Sequence, residues 1–224
     1  MSSQPKSVRS LLHSVRLSKG RMEALTDGIF AIAMTLLVLE LKAPDLPKNI
    51  ASSQLLEHLS QLMPAFFGFL VSFLYCGMLW FLHHMALHFI RHLQAGLVWL
   101  NLFFLMSISL MPFSCALLGR FIRNVAAREI YFGNLFLASV LLALQWWFAK
   151  RKDLINQDDP LAALAMGQQL IIFPAAIGAA LLVTPFHPLA GFYAMIFALL
   201  ALRIWQRQWL RKATKTLAPL QPVS

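Results

Sequence analysis

The stretch Arg21-Met-Glu-Ala-Leu-Thr-Asp27-Gly28-Ile-Phe-Ala-Ile-Ala-Met-Thr35-Leu36-Leu-Val-Leu39-Glu40 decides the fold class. Its ionisable groups are Arg21, Glu23 and Asp27, and after Asp27 no charge occurs until Glu40. A helix needs about 20 mainly apolar residues to cross the hydrocarbon core of a bilayer. The span predicted here runs from Met22 to Leu41 and is ended by Pro44 and Pro47. Groups at its start reach water and headgroups, but Asp27 lies deeper, and a carboxylate at that depth needs a partner. Arg21, a histidine elsewhere or backbone N–H groups would each serve. A structural network and direct ion contact are both open readings for Asp27.

At about 100° per residue, with Ile32 as zero, Thr35 falls near −60°, Leu36 near +40° and Leu39 near −20°. These four form one stripe, with Gly28 and Arg21 close to its azimuth and Asp27 nearly opposite. Periodicity says only that the helix has two faces, and a Leu/Ile stripe is more often packing than a lining. The position of Arg21 fits either a pore mouth or a structural clamp.

Outward from this helix, five more apolar runs follow: about Leu55 to Leu82, with Pro64 inside; Leu93 to Leu118, with Asn101 and Pro112; Ile130 to Ala149; Leu161 to Thr184, with Gln168, Gln169 and Pro174; and Leu189 to Trp209. The predicted fold class is therefore an all-α membrane protein with six transmembrane helices, short loops and no separate soluble domain. Of 224 residues, 59% are hydrophobic and 12% charged, about half the charge a soluble domain carries. Residues 1–20 read as a basic N-terminus without a signal peptide, 21–212 as the membrane domain and 213–224 as a tail.

The net charge of +10 does not indicate nucleic acid, because the basic residues flank the apolar runs instead of forming a phosphate-binding face. Lys6, Arg9, Arg16, Lys19, Arg21, Arg91, Lys150, Arg151, Lys152, Arg203, Arg207, Arg211, Lys212 and Lys215 fall on one side of the predicted topology. Lys42, Lys48, Arg120, Arg123 and Arg128 fall on the other. Both termini are accordingly placed in the cytoplasm of a multi-pass protein of the cell inner (plasma) membrane. Trp80, Trp146, Trp147, Trp205 and Trp209 lie near predicted span ends, as interfacial rings do, and Trp99 lies deeper. Cys76 and Cys115 sit in apolar runs, where a cysteine is a small hydrophobe; no disulfide framework follows from them.

Trp80-Phe-Leu-His83-His84-Met-Ala-Leu-His88, with His92 beyond, invites a zinc hypothesis, since His83 or His84 lies i, i+4 or i, i+5 from His88. No Cys or acidic residue lies nearby in sequence to complete a set. Histidines at a span end also serve as polar caps and carboxylate partners. No metal and no cofactor are expected, and no nucleophile–base pair or nucleotide loop points to an enzyme.

Several of these motifs together resemble the prokaryotic relatives of the lysosomal potassium channel called transmembrane protein 175. That family opens its first span with an Arg, three residues, then Phe-Ser-Asp. Here the pattern reads Arg21, then Leu25-Thr26-Asp27, with the hydroxyl kept at Thr26 and the ring lost at Leu25. The continuation from Gly28 to Leu39, the Trp80-x-x-His83-His84 pair, Asn101-Leu-x-Phe and Pro112-Phe113 are also similar. The resemblance covers at least the first half of the chain. It implies a homotetramer of six-span subunits, a non-canonical cation channel without a carbonyl selectivity filter, lined by the first helix of each subunit. It implies apolar constriction layers at Ile32, Leu36 and Leu39, a potassium-selecting layer at Thr35, and a network of Arg21, Thr26, Asp27, Trp80, His83 and His84 holding the helix end. The expected partners are further copies of the chain, membrane lipids and potassium ions as permeant. Two rival readings stand beside it: a secondary transporter of a small cation or solute, and a membrane-embedded enzyme using the histidines and Asp27. No repeat relates the last three spans to the first three, as an inverted-repeat transporter would show.

Overall fold

The computed structural model describes residues 18–156, 159–187 and 189–217. The basic residues Lys6, Arg9 and Arg16, the tail beyond 217, and the side chains of Trp205, Trp209, Arg211, Lys212 and Lys215 lie outside the described set. Helices run over Lys19–Leu39 (α1), Ser52–Gln61 (α2), Met63–His88 (α3), Ala95–Ser109 (α4), Met111–Arg120 (α5), Val125–Arg151 (α6), Pro160–Val183 (α7) and Ala190–Leu217 (α8). Among the described residues, five segments are long and apolar enough to cross a membrane: α1, α3, α4 with α5 as one unit, α6 and α7. The sixth predicted span falls on α8, part of whose side chains are outside the described set. The chain is an all-helical, multi-pass membrane protein.

Two boundaries differ from the sequence reading because of proline. The predicted second span, Leu55 to Leu82, is two helices, and Pro64 lies in the first turn of α3 instead of its interior. There the missing N–H is one the helix start leaves unpaired anyway. The span shifts toward the C-terminus and runs to His88, so His83 and His84 lie inside it and Trp80 lies well before its end. The predicted third span breaks at Leu110, with Pro112 in the first turn of α5. Backbone bonds from Leu110 N to Met106 O and from Ser114 N to Leu110 O carry the chain across the break. The lost donor is the local interruption a membrane span tolerates when its neighbours are protein.

The core forms where α3, α4, α5 and α6 meet α1 and α7, with Phe30, Leu37, Leu79, Phe104, Ile108, Met111, Tyr131, Phe132 and Ile177 buried. Without a strong hydrophobic drive between helices in lipid, small residues and hydroxyls hold them together. A Cβ on Gly119 would stand 3.1 Å from the Ala65 Cα, so α5 and α3 approach closely there. Tyr75 donates to the Leu135 carbonyl at 2.9 Å, and the Ser72 and Tyr131 hydroxyls bond at 3.0 Å, linking α3 to α6.

Arg128, expected in an outer loop, lies within α6 and is buried. Its guanidinium donates to the Thr184 and Ile122 carbonyls, both at 3.0 Å, so it braces two connections from inside. At the opposite end, Lys19 Nζ donates to the Ile90 carbonyl. Arg91 N bonds Leu154 O and Asn156 N bonds Phe89 O. The start of α1, the end of α3 and the α6–α7 connection therefore share one membrane face.

Candidate functional site

Ser18 caps α1 by accepting from the Arg21 backbone N–H, and the helix then runs unbroken to Leu39. One face, Met22, Thr26, Phe30, Ala33 and Leu37, is buried against α3, α4 and α5. The other is open: Ile32 is 60% exposed, Leu36 41% and Leu39 65%, with Gly28 and Thr35 also exposed. The residues that the helical angle groups into one stripe are all exposed, but Asp27, nearly opposite to them, is exposed as well. Leu37 is buried completely, whereas Val38, also off the stripe, is 48% exposed.

An exposed apolar face of this width on a single subunit is a surface for lipid, for a second copy or for a water-filled path. Thr35 is its polar interruption. The hydroxyl donates within its own helix, to Ile32 O at 2.8 Å and Ala31 O at 3.0 Å. With the proton so used, the oxygen presents its lone pairs outward as an acceptor.

The polar residues of the sequence motif divide into two groups. Buried within the subunit, Asn101 Nδ2 donates to Thr26 Oγ1 at 3.3 Å, and Asn101 Oδ1 lies 2.8 Å from His83 Nε2. The bond to Oδ1 requires the His83 tautomer with its proton on Nε2. The ring stacks on Phe104 at 5.3 Å between centroids, and Phe104 in turn packs on Phe30 of α1. This chain ties α1, α3 and α4. On the exposed side, Trp80 Nε1 donates to Asp27 Oδ1 at 2.8 Å, and the Trp80 ring stacks on His84.

Asp27 is thus paired, but with a neutral indole and not with Arg21 or a histidine. Arg21 is exposed, and its backbone, not its guanidinium, makes the capping bond. His83 and His84 engage different partners, and His88 packs edge-on against Phe89. Among the described residues no three His, Cys, Asp or Glu gather as a metal site. Asn101 was visible in the sequence as an amide inside an apolar span, yet nothing there indicated that it joins Thr26 to His83.

Residues 21–112 match the family model described as TMEM175, the endosomal/lysosomal potassium channel TMEM175. Through this segment the chain is similar to the TMEM175 family. All the residues of both polar groups lie inside the matched segment. A Streptomyces collinus protein named a potassium channel is 34% identical over 136 residues, which is 59% of this chain and 65% of that relative. This chain therefore spans just under two thirds of that relative's length. The human protein named endosomal/lysosomal proton channel TMEM175 is 31% identical over 140 residues, covering 58% of this chain and 28% of its own. The crystal structure of a lysosomal potassium-selective channel TMEM175 homolog from Chamaesiphon minutus superposes with a TM-score of 0.70 at 24% identity, over 84% of this chain and 97% of that one. The fold is the TMEM175 fold, and it extends past the matched segment into the second half of the chain.

Proposed function

We propose that the chain is the subunit of a potassium-permeable, weakly selective cation channel, with α1 helices from four copies around one axis. The observation that carries this reading is the open stripe of Ile32, Thr35, Leu36 and Leu39 opposite the buried stripe of α1. One such helix cannot enclose a path alone, and a closed ring of identical subunits is the economical solution. The bacterial relatives, which are named potassium channels, supply the ion.

In this arrangement Ile32, Leu36 and Leu39 form apolar rings that gate by dewetting. The Thr35 oxygens, with protons turned back into the helix, replace part of a cation's hydration shell. Thr26, Asp27, Trp80, His83 and His84 fix the inner half of α1 against α3 and α4, while Arg21 stands at the mouth of the path. Both termini face the cytoplasm, following the Lys and Arg distribution. Six spans per subunit complete the fold, with α8 as the sixth, and no catalytic step is assigned.

Reconstitution in liposomes tests the proposal. Potassium flux should exceed sodium flux down equal gradients without saturating as a carrier does, and native mass spectrometry should give a tetramer. A saturable flux coupled to a counter-ion would establish the transporter reading. Since the vertebrate relatives are named proton channels, a pH-sensitive dye is included. Proton flux without potassium flux would overturn the choice of ion.

A further inference from the structure

A cleft of about 790 Å³ lies between α6 and α7, whereas α1 packs on α3, α4 and α5. Its walls are mostly apolar, with Val140, Ala143 and Leu144 on α6 and Leu164 and Ile171 on α7, and Gln168 of α7 is a polar residue among them. Leu144, Leu164 and Ile171 are exposed, so the cleft opens sideways, toward hydrocarbon in a chain that spans a membrane. From Lys150 at its mouth to Val140 at its floor the helix advances about 15 Å, half the roughly 30 Å hydrocarbon core. That depth is one leaflet.

The mouth carries two opposite charges, Lys150 and Asp153. Asp153 is held in an unusual way. It follows α6 with φ 51, the left-handed conformation that glycine adopts without strain. The Asp153 N–H to Lys150 O and Leu154 N–H to Ala149 O bonds close the helix around it. A carboxylate thus stands where a turn of this kind favours glycine or asparagine, beside the mouth of a mostly apolar, leaflet-deep cleft.

We propose that the cleft binds one phospholipid of that leaflet, with an acyl chain between α6 and α7, its phosphate on Lys150 and a primary ammonium on Asp153. The headgroup that carries both charges in this order is phosphatidylethanolamine. An anionic headgroup would satisfy Lys150 but meet Asp153 as a like charge. A quaternary ammonium has no N–H to donate to the carboxylate. The site is independent of the channel reading, since it needs only that the chain spans a bilayer.

The test uses the delipidated full-length protein in detergent, titrated with dioleoyl phosphatidylethanolamine, phosphatidylcholine and phosphatidylglycerol and read by native mass spectrometry. The wild type should bind phosphatidylethanolamine roughly tenfold tighter than phosphatidylglycerol, the size of one charge-assisted hydrogen bond. Asp153→Asn should abolish that preference while retaining phosphatidylglycerol binding. Lys150→Ala should weaken all three, and Leu164→Trp, which fills the cleft from its rim, should remove saturable binding with the oligomer mass unchanged. Equal affinity for the three lipids, a preference that survives Asp153→Asn, or binding unaffected by Leu164→Trp would each overturn the proposal. Asp153 is an exposed residue at a helix end, so its variant decides the headgroup assignment even where a cleft-filling variant fails to fold.

Discussion

Replacing Asn101 with leucine is the most informative perturbation of the anchor that holds α1. The side chain is 1% exposed and bonds at once to His83, at 2.8 Å, and to Thr26, at 3.3 Å. The two losses are unequal. Thr26 keeps its hydroxyl proton and can donate it to a carbonyl of its own helix, as Thr35 does, so it loses only an acceptor role. His83 is 2% exposed, stacks on Phe104 and has Gln145 as its other buried polar neighbour, so losing Asn101 removes the acceptor that its Nε2–H faces. A buried donor stranded in this way costs about 1–3 kcal/mol. Single interhelical hydrogen bonds in membranes average nearer 0.6 kcal/mol, because the unfolded reference also finds partners.

Asn101→Leu should therefore cost about 2 kcal/mol, and Thr26→Val, which leaves the His83 bond intact, nearer 0.6 kcal/mol. Asp27→Asn should change stability least, since an amide oxygen still accepts from Trp80 and the site is exposed in the subunit. At about 2–4 °C per kcal/mol for a chain of this size, the Asn101 variant should melt roughly 4–8 °C lower in detergent, followed by size-exclusion chromatography after heating. The reasoning is refuted if Thr26→Val is as damaging as Asn101→Leu, since the linkage through Asn101 would then not distinguish its two ends. An Asp27→Asn variant that is the worst of the three would instead locate the dominant interaction outside the subunit.

The remaining predictions concern both faces of α1, the Arg128 brace and the close approach of α5 to α3. Ile32→Ala should raise current in planar bilayers and Val38→Ala should not, and equal changes would show the face assignment to be wrong. Leu37→Ala should lower stability by about 2–5 kcal/mol as a cavity variant, read as a loss of folded protein with no change in selectivity. Thr35→Val keeps volume but removes the outward oxygen, so the potassium-to-sodium permeability ratio from reversal potentials should fall; an unchanged ratio removes Thr35 from ion selection. Arg128→Met leaves the Ile122 and Thr184 carbonyls without their donor and should reduce the yield of folded protein, with Arg128→Lys intermediate because one ammonium has no planar fork. Gly119→Val should cost about 1–3 kcal/mol by forcing α5 from Ala65, seen as a lower melting temperature.

Charge and hydropathy made the membrane class and the order of the spans legible, because a span must satisfy length and polarity locally. The turn from α2 into α3 and the break at Leu110 were harder to read. Both are set by a proline whose effect depends on whether it falls in a first turn or an interior, and that in turn depends on where the preceding helix stops. The open stripe of α1 could be read as an angle but not as a surface. Only the burial of Met22, Thr26, Phe30, Ala33 and Leu37 shows which side the rest of the subunit covers.

The partners of the motif residues were the least legible. Arg21 and Asp27 are near in sequence and opposite in charge, which suggested an ion pair, yet six positions put them on different sides of the helix. Asp27 meets Trp80, and Thr26 meets Asn101, because adjacent residues on a helix point about 100° apart and so face different neighbours. That geometry gives the Thr26-Asp27 pair its structural meaning. The hydroxyl turns inward, where a neutral group can be buried with one good bond. The carboxylate turns outward, where its charge keeps access to water and an indole N–H suffices. Exchanging the two residues would bury the charge beside Asn101 and His83 without a cation, an arrangement far costlier than either present bond. The order of the two residues therefore matters as much as their presence, and it is the order that positions α1 with its Ile32, Thr35, Leu36 and Leu39 face turned away from the core.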